Sequence, residues 1–463
     1  MTSQKTCLFY IAGDITRYSL VDYKFGGNTY KSFFSAHALW CALNPDKVVA
    51  LLPDSLITTD CSDSVNVIKN AYKEMLREKA KQLQFSPSSF NDFLNKLEIE
   101  YIPNVGIANN SMVADCQGNL KTDDQGKYIT KPNSTSRSPT FIYNTIYAIM
   151  NKYSKEFEEF VIDLTHGTNV LISALLTASA MFRARLYAAP IMGPPNGVVE
   201  IVELTDLVEA MKDSLKISLS IEKLDERHLV DYTLRLKSLN PTQFGNEKDL
   251  INRIKSTDLN KVSDFLWNLR NGFVVNALKS MNDLQQYLSM LKSDVSSLSK
   301  IYEEWYKYVG TAFQNNNQII LSNFYSTLNI EGTIDSLKGS DDIKTMLKIL
   351  GKYIDVDYYD KALSLGRELP VAECLSNHGG GKFDDNDINY KNCSELVTTY
   401  ITLNHSELLT YRNHLMHSGL SEDLKVEVKD RKVQQRVNIN RKNIINYVKG
   451  ELKNDIEIVR RIV

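Results

Sequence analysis

The chain lacks the marks of a membrane-spanning, secreted or metal-stapled protein. No apolar run approaches the roughly 20 residues that a bilayer-spanning helix needs; the longest, Val170–Phe182, is interrupted by Ser and Thr. The opening MTSQKTCLFYIAGD has one Lys before a short apolar stretch. It is without the length and small-residue cleavage site of a signal peptide, and Cys7–Gly13 reads as a buried first strand. The six cysteines (Cys7, Cys41, Cys61, Cys116, Cys374 and Cys393) are scattered, with no Cys-x-x-Cys pair. That predicts neither a zinc site nor a disulfide framework, and a cytoplasmic chain without structural metal. A basic excess is missing too: 54 Lys and Arg face 56 Asp and Glu, for a net charge of −2. Tracking of duplex DNA by its phosphates is therefore not expected, and any nucleic-acid contact should be local.

What is present is an ordinary globular composition, 43% hydrophobic and 24% charged over 463 residues. At about 100–200 residues per domain, that is enough for two to four domains. Up to about residue 210, short β-rich apolar runs alternate with helix-length segments. The runs are Cys7–Ala12, Lys47–Leu52, Glu98–Ile102, Phe160–Leu164, Arg185–Ala189 and Val199–Leu204. The helical segments are Phe33–Leu43, Ser64–Lys81, Pro139–Lys152 and Val170–Phe182. Nearly continuous apolar strands suit a sheet covered on both faces, and strand–helix alternation predicts a mostly parallel, doubly wound α/β sheet. Ligands on such sheets bind beyond the carboxyl ends of the strands. Pro103–Ser138 departs from this plan. It is polar and turn-rich, and reads either as a ligand-side loop or as an insertion.

Beyond Asp206 helical periodicity takes over, at Asp264–Leu291, Asp341–Tyr353, Asp360–Ala372, Glu395–His417 and Asn440–Arg461. Leu239–Asn240–Pro241 reads as a break between short helices. Gln314–Ser340 and Ser376–Asn392 read as loops, and Val426–Val437 as a small hairpin. The expected organisation is an α/β domain over 1–210, a helical, helix-turn-helix-like connector over 211–260 and an all-α domain over 261–463.

Two segments carry candidate chemistry. Asp163–Asn169, DLTHGTN, follows a strand and precedes a helix. Small residues, hydroxyls and a glycine there suit backbone amides that receive an anionic group at a helix N-terminus. The same segment also reads as a plain turn capped by Thr168 or Asn169. It matches neither the Walker loop nor the G-x-G-x-x-G fingerprint, which argues against a nucleotide triphosphatase or a dinucleotide-dependent dehydrogenase. Gly13–Asp14 ends the first strand and should lie on the same sheet edge.

The second segment is Tyr411–His417, YRNHLMH, followed by Gly419. On a helix, Leu408, Leu409, Tyr411, Leu415 and Met416 form the apolar arc and Arg412 falls inside it. An Arg on that side needs an anionic partner, or else closes a structural salt bridge. Asn413 sits four residues before His417, close enough to hold its imidazole. Arg412 and His417 are about 140° apart on an ideal helix, so two such helices across a two-fold axis would be needed to make one cleft. His414 and His417 are a conceivable metal pair without a third ligand, and no metal is expected. Gly379–Lys382 follows no strand and reads as a flexible turn, Trp267 as a core residue, and Arg270 and Asn271 as a solvated helix face.

The Asp-x-Thr-His-Gly turn at 163–167 and the Arg-Asn-x-x-x-His at 412–417 together resemble the CRISPR-associated CARF–HEPN ribonucleases of type III systems. Leu8–Asp14, Pro103–Ala108, Ala362–Ala372 and the tail after Arg412 are similar to archaeal members. The resemblance implies a Rossmann-like CARF domain that senses cyclic oligoadenylate across a dimer axis, and an all-α HEPN domain that cleaves single-stranded RNA without metal or cofactor. It implies cyclic tetra-adenylate as activator and a cytoplasmic homodimer, or an oligomer of dimers, with no membrane partner. Thr165, His166, Gly167 and Asn169 then match the ligand-binding motif, with Asp14 as a loop neighbour. Arg412 and His417 match the catalytic motif, with Asn413 beside them. Products would carry 2′,3′-cyclic phosphate and 5′-hydroxyl ends. Two other functions fit parts of the sequence: a CARF-type transcriptional regulator using helices near 211–260, and a constitutive HEPN nuclease whose α/β domain only dimerises.

Overall fold

A computed structural model describes residues 5–190, 197–238, 248–256, 259–304, 307, 321–416, 426–429, 432–435 and 440–463. The chain forms two compact units, Met1–Glu209 and Ala210–Val463.

The first unit is built on a six-stranded sheet: β1 (Thr6–Ile11), β2 (Lys47–Pro53), β3 (Leu97–Ile102), β4 (Glu159–Asp163), β5 (Ala184–Ala188) and β6 (Val202–Glu203). Its order is β3-β2-β1-β4-β5-β6, and all pairs are parallel except the last. This is the doubly wound Rossmann order, in which the chain reverses direction across the sheet between β1 and β4. The covering helices are α1 (Ser35–Leu43), α2 (Ser64–Gln82), α3 (Ser88–Lys96), α4 (Pro139–Tyr153) and α5 (Asn169–Ser179).

Side-chain alternation explains the layering. Leu8 and Tyr10 of β1 join one core with Leu39 of α1, Leu76 of α2 and Phe93 of α3. Cys7, Phe9 and Ile11 join the opposite core with Ile142 and Ile146 of α4 and Leu175 of α5. Phe9 is fully buried and meets Tyr153 and Phe160 edge-on. Truncating such a side chain to Ala costs about 3–5 kcal/mol.

Pro103–Ser138 is more ordered than a loop. Val105–Val113 and Thr130–Ser136 pair antiparallel, and Ile57–Thr58 adds a third strand. Helix α3, absent from the sequence reading, inserts Phe90, Phe93 and Leu94 beside Trp40 and Phe33.

The second unit is helical. It continues α6 (Thr205–Lys223) with α7 (Val230–Ser238), α8 (Lys248–Ser256), α9 (Asn260–Arg270), α10 (Val274–Glu303), α11 (Leu321–Leu328), α12 (Ile330–Leu337), α13 (Asp342–Asp355), α14 (Tyr359–Asn377), α15 (Ile388–Asn404), α16 (Ser406–Met416), α17 (Arg441–Gly450) and α18 (Leu452–Arg460). Ile217, Ile221, Leu236, Ile251 and Ile254 share one hydrophobic core with Leu369, Val397 and Ile456. At the α14–α18 crossing, a Cβ on Gly366 would meet Ile456 Cδ1 at 2.8 Å, so a larger residue there would have to displace the end of the Ile456 side chain.

Several expectations are corrected here. Asp264–Leu291 is two helices, divided at Gly272, whose φ is +79°. Glu395–His417 is divided at His405. Gln314–Ser340 contains α11 and α12 rather than loop alone. Trp267 is 44% exposed and stacks on Phe273 at 5.3 Å. Val426–Lys429 and Lys432–Gln435 form the hairpin read at Val426–Val437, and Leu239–Pro241 lies outside the described residues.

The cysteine expectation is overturned: Cys61 is bonded to Cys116 and Cys374 to Cys393. Each pair is 55 or 19 residues apart in sequence, so spacing rules cannot see a proximity that strand pairing and helix packing create. Cys7 and Cys41 are free. Among the described residues, no helix is long and apolar enough to cross a membrane.

Candidate functional site

Strands β1 and β4 are parallel neighbours, with Tyr10 opposite Asp163. The loops leaving their carboxyl ends therefore emerge side by side at the point where strand order reverses, the place where such sheets bind ligands.

Asp163 organises the β4 loop. Fully buried, it accepts from Thr165 N at 2.9 Å, Thr165 Oγ1 at 2.5 Å and Ser35 Oγ at 2.5 Å. Thr165 Oγ1 in turn accepts from the amide of Ala189 at 2.9 Å. The Thr165 hydroxyl is thus committed within the protein and positions the loop. Gly167 has φ +127°, and a Cβ there would meet Ile11 Cδ1 at 2.9 Å; both facts call for glycine. Thr168 caps α5 by accepting from Leu171 N. Gly167, Thr168 and Asn169 are exposed, which leaves the amide end of α5 open to an anion.

The β1 loop meets this turn. A Cβ on Gly13 would lie 3.0 Å from the Tyr18 hydroxyl and 3.8 Å from His166 Cβ. Tyr18 stacks on His166 with centroids 4.9 Å apart, and its hydroxyl is 2.9 Å from His166 Nδ1. Burial pushes His166 below its ordinary pKa, against the opposing pull of Asp163. Burial pushes Tyr18 up to about 12, helped by Asp14 and Asp163. Near neutral pH both rings are therefore uncharged, and one hydrogen bond links the phenol oxygen to Nδ1. His166 Nε2 is buried without a hydrogen-bond partner among the described residues. Asp14 accepts from Thr16 N at 3.0 Å and Thr16 Oγ1 at 2.5 Å, so its carboxylate shapes the loop.

The structure brings Asp14, Thr165, His166, Gly167 and Asn169 to one sheet edge. Sequence reasoning missed Tyr18 and Asn104. Asn104 is 4% exposed and follows β3, and its Oδ1 accepts from Thr168 Oγ1 at 3.5 Å. An aromatic seven positions after the end of β1 carries no signal of its own.

In the second unit, Arg412 and Asn413 lie on α16. His405 Nδ1 is 3.1 Å from Asp455 Oδ1, and the Tyr447 hydroxyl donates to Asp455 Oδ2 at 2.8 Å; together these pin the start of α16. Leu408 is buried, and Leu409, Tyr411 and Leu415 pack on the same core. Met416 is 49% exposed and accepts from Ser364 Oγ at 3.4 Å. Arg412 is half-buried. Its Nη1 donates to Asn413 Oδ1 at 3.4 Å, while its Nε is buried without a hydrogen-bond partner among the described residues. A buried guanidinium N–H is costly unless it finds an acceptor. His417 lies outside the described residues, so its distance to Arg412 and Asn413 is not part of this geometry.

Among the described residues, Cys374, His378 and Cys393 form the cluster whose ligand atoms fall within 4.8 Å of one another, and its two sulfurs are bonded to each other. Arg270, read as a solvated position, pairs with Glu226 at 2.6 Å.

Residues 7–193 match the family model described as CRISPR system endoribonuclease Csx1, CARF domain. Among solved structures the chain is similar to Enterococcus italicus Csm6 bound to cyclic hexa-2'-fluoro-hexa-dAMP. That match has 10% identity and a TM-score of 0.29, covering 98% of this chain and 100% of that one. No curated protein matches the chain.

Proposed function

We propose, from the premise that residues 7–193 are a CARF domain of the Csx1 family, that the chain is an endoribonuclease switched on by a cyclic oligoadenylate. The observation that carries the sensing half is the meeting of the Gly13 and His166 loops at the β1–β4 switch point. There the open end of α5 offers amides to phosphate. In this reading Gly167 and Asn169 face the activator and Thr165 positions them. The buried Nε2 of His166, without a partner among the described residues, gains one from the bound ligand. We take cyclic tetra-adenylate as the activator.

The cleavage half rests on Arg412, Asn413 and His417. RNA supplies its own nucleophile, the 2′-hydroxyl. Attack on the adjacent phosphorus forms a 2′,3′-cyclic phosphate and expels the 5′-oxygen, which leaves as a hydroxyl. His417 moves protons near neutral pH, and Arg412 holds the phosphoryl oxygens as charge builds on them. Asn413 orients the pair. The half-buried guanidinium, its Nε without a hydrogen-bond partner among the described residues, supports the phosphate-binding role.

We further propose a homodimer as the working unit, because positions 412 and 417 of an ideal helix would point about 140° apart. Met211, Leu215 and Leu219 recur every four residues on α6 and are 50%, 64% and 46% exposed, an apolar stripe suited to self-association. The helices at 217–254 bury their apolar faces in the second unit's core, which favours a nuclease over a regulator with a free DNA-reading domain.

The test is cleavage of a fluorescent single-stranded RNA in EDTA, with and without cyclic tetra- or hexa-adenylate. Activation by one of these, abolished in His417→Ala, is the expected result. Equal cleavage without activator would favour the constitutive nuclease instead, and cleavage retained in His417→Ala would overturn the catalytic assignment.

A further inference from the structure

A second polar cavity, of about 420 Å³, lies in the first unit under the hairpin inserted between β3 and α4. Its volume falls in the range of small-molecule sites, about 300–1,000 Å³. One wall is the segment after β2, with Asp54, Thr58 and Ser64; the other is the returning hairpin strand, with Asn133 and Ser134, followed by Arg137. Ile68 is the one aliphatic lining residue, so the cavity is unsuited to a lipid or an apolar side chain.

The walls are fastened together. The Cys61–Cys116 disulfide joins the post-β2 segment to the hairpin, as does the Lys131–Asp60 ion pair at 3.1 Å. Asn133 Nδ2 donates to the Asp54 carbonyl at 2.9 Å. Several polar side chains that line the cavity are not tied up by hydrogen bonds within the protein. Among the described residues, the side chains of Thr58, Ser64, Ser134 and Arg137 make no hydrogen bond or ion pair. Arg137 lies over the Phe141 ring, at 5.7 Å, and within electrostatic reach of the Asp54 carboxylate. Hydroxyls, an amide, a carboxylate and a guanidinium collected along one clasped cavity suit a ligand that is itself rich in donors and acceptors.

Hydrogen bonds through Asn104 tie the cavity wall to the switch-point loop. Buried Asn104 accepts a donor from Val105 N on its Oδ1 at 2.8 Å and donates from Nδ2 to Ser55 Oγ at 2.8 Å. Its backbone N donates to Asp54 Oδ1 at 2.9 Å. The same Oδ1 meets the hydroxyl of Thr168, the residue that caps α5. One side chain thus spans from the cavity wall to the loop that receives the activator.

We propose that this cavity is a nucleotide subsite of the activator site. Arg137 receives a phosphate of the cyclic oligoadenylate, and the Thr58, Ser64 and Ser134 hydroxyls with Asp54 receive its ribose and base edge. The assignment rests on the oligoadenylate-sensing reading given above and extends it to a part of the fold outside the β1 and β4 loops.

The experiment is calorimetric titration of the full-length chain with cyclic tetra-adenylate and, separately, cyclic hexa-adenylate. It compares wild type with Arg137→Ala and with the cavity-filling Ser134→Trp, each checked for fold by circular dichroism. Both variants should bind about tenfold or more weakly, the loss expected when a hydrogen bond to a charged group is removed. Wild-type binding together with wild-type affinity in Arg137→Ala overturns the subsite and leaves the sensing reading standing. Failure of the wild-type chain to bind either ring overturns the reading and the subsite with it. If Ser134→Trp misfolds, Arg137→Ala alone decides.

Discussion

The Tyr18 hydroxyl lies 2.9 Å from His166 Nδ1, joining the loops that leave two neighbouring strands of the sheet. This bond selects the His166 tautomer and holds the two halves of the crevice in register. Tyr18→Phe removes the hydroxyl and leaves a largely buried ring nitrogen unpaired, at a cost of about 1–3 kcal/mol. Urea unfolding should show that loss. The imidazole nitrogen shifts of His166 should move in the same variant, and unchanged shifts would refute the bond.

Gly167 predicts a second effect. Its φ of +127° and the 2.9 Å approach of Ile11 Cδ1 to a built Cβ make Gly167→Ala unfavourable by about 1–3 kcal/mol. The penalty should be met by shifting the loop, so weakened activator binding should accompany the stability loss. A variant as stable as wild type would show that the loop is free to relax.

The pH dependence of the first unit follows from His37, which is 1% exposed. Burial pushes it down to about 4; its Nδ1 lies 3.0 Å from Ser32 Oγ. The unfolded chain protonates this imidazole near pH 6.5, whereas the folded chain does so only near pH 4. Between those values the unfolded state binds more protons, so stability rises with pH and falls on acidification. From pH 6.5 to 5 the loss from His37 alone is about 2 kcal/mol. His166, also lowered by burial, acts in the same direction. Chemical denaturation across this window should show the slope, and His37→Gln should flatten it. A wild-type curve that is level from pH 6.5 to 5 would contradict a buried neutral His37.

The sheet was legible in the sequence because strands covered on both faces must be apolar nearly throughout, as Cys7–Ile11 and Val48–Leu52 are. The inserted hairpin was not. Gly106, Ile107, Asn109 and Asn110 are exposed, so no buried face imposes the alternation from which a strand is read. Helix α3 was hidden by its length, with only Phe90, Phe93 and Leu94 to mark its buried side. The break at His405 escaped notice because its cause, the contact with Asp455, is tertiary. The same limit applies at the candidate sites. The glycine and the hydroxyl residues of 165–169 could be read from the turn, but Tyr18 and Asn104 arrive from other loops.

The two disulfides carry their own expectation. In oxidised protein, alkylation under denaturing conditions should modify two of the six cysteines, Cys7 and Cys41, and reduction should expose the other four. Cross-links closing such loops typically contribute about 2–4 kcal/mol, so reductant should lower the unfolding midpoint. Cys374→Ser should reproduce the part due to the clasp between α14 and α15. Six modified cysteines in oxidised protein would refute both bonds.

The Nε of Arg412, buried without a hydrogen-bond partner among the described residues, leads to the last prediction, which concerns how many chains make one cleavage site. Within our reading, Arg412 needs a phosphate to complete its hydrogen bonding, and His417 must reach the same phosphate. On one straight helix the two diverge by about 140°, so the complementary group has to come from a second copy across a two-fold axis. Arg412→Ala should then abolish activated cleavage, with the fold retained, because α16 is held by Leu408 and the His405–Asp455 contact rather than by the guanidinium. Asn413→Ala should be milder. The decisive measurement mixes wild-type chains with an equal amount of His417→Ala chains under subunit exchange. If both His of a pair are required, about a quarter of random dimers keep two wild-type chains, so activity should fall to about a quarter. If each chain acts alone, it should fall only to about half. A decline in direct proportion to the wild-type fraction would overturn the shared cleft and leave Arg412 and His417 to be joined within a single chain.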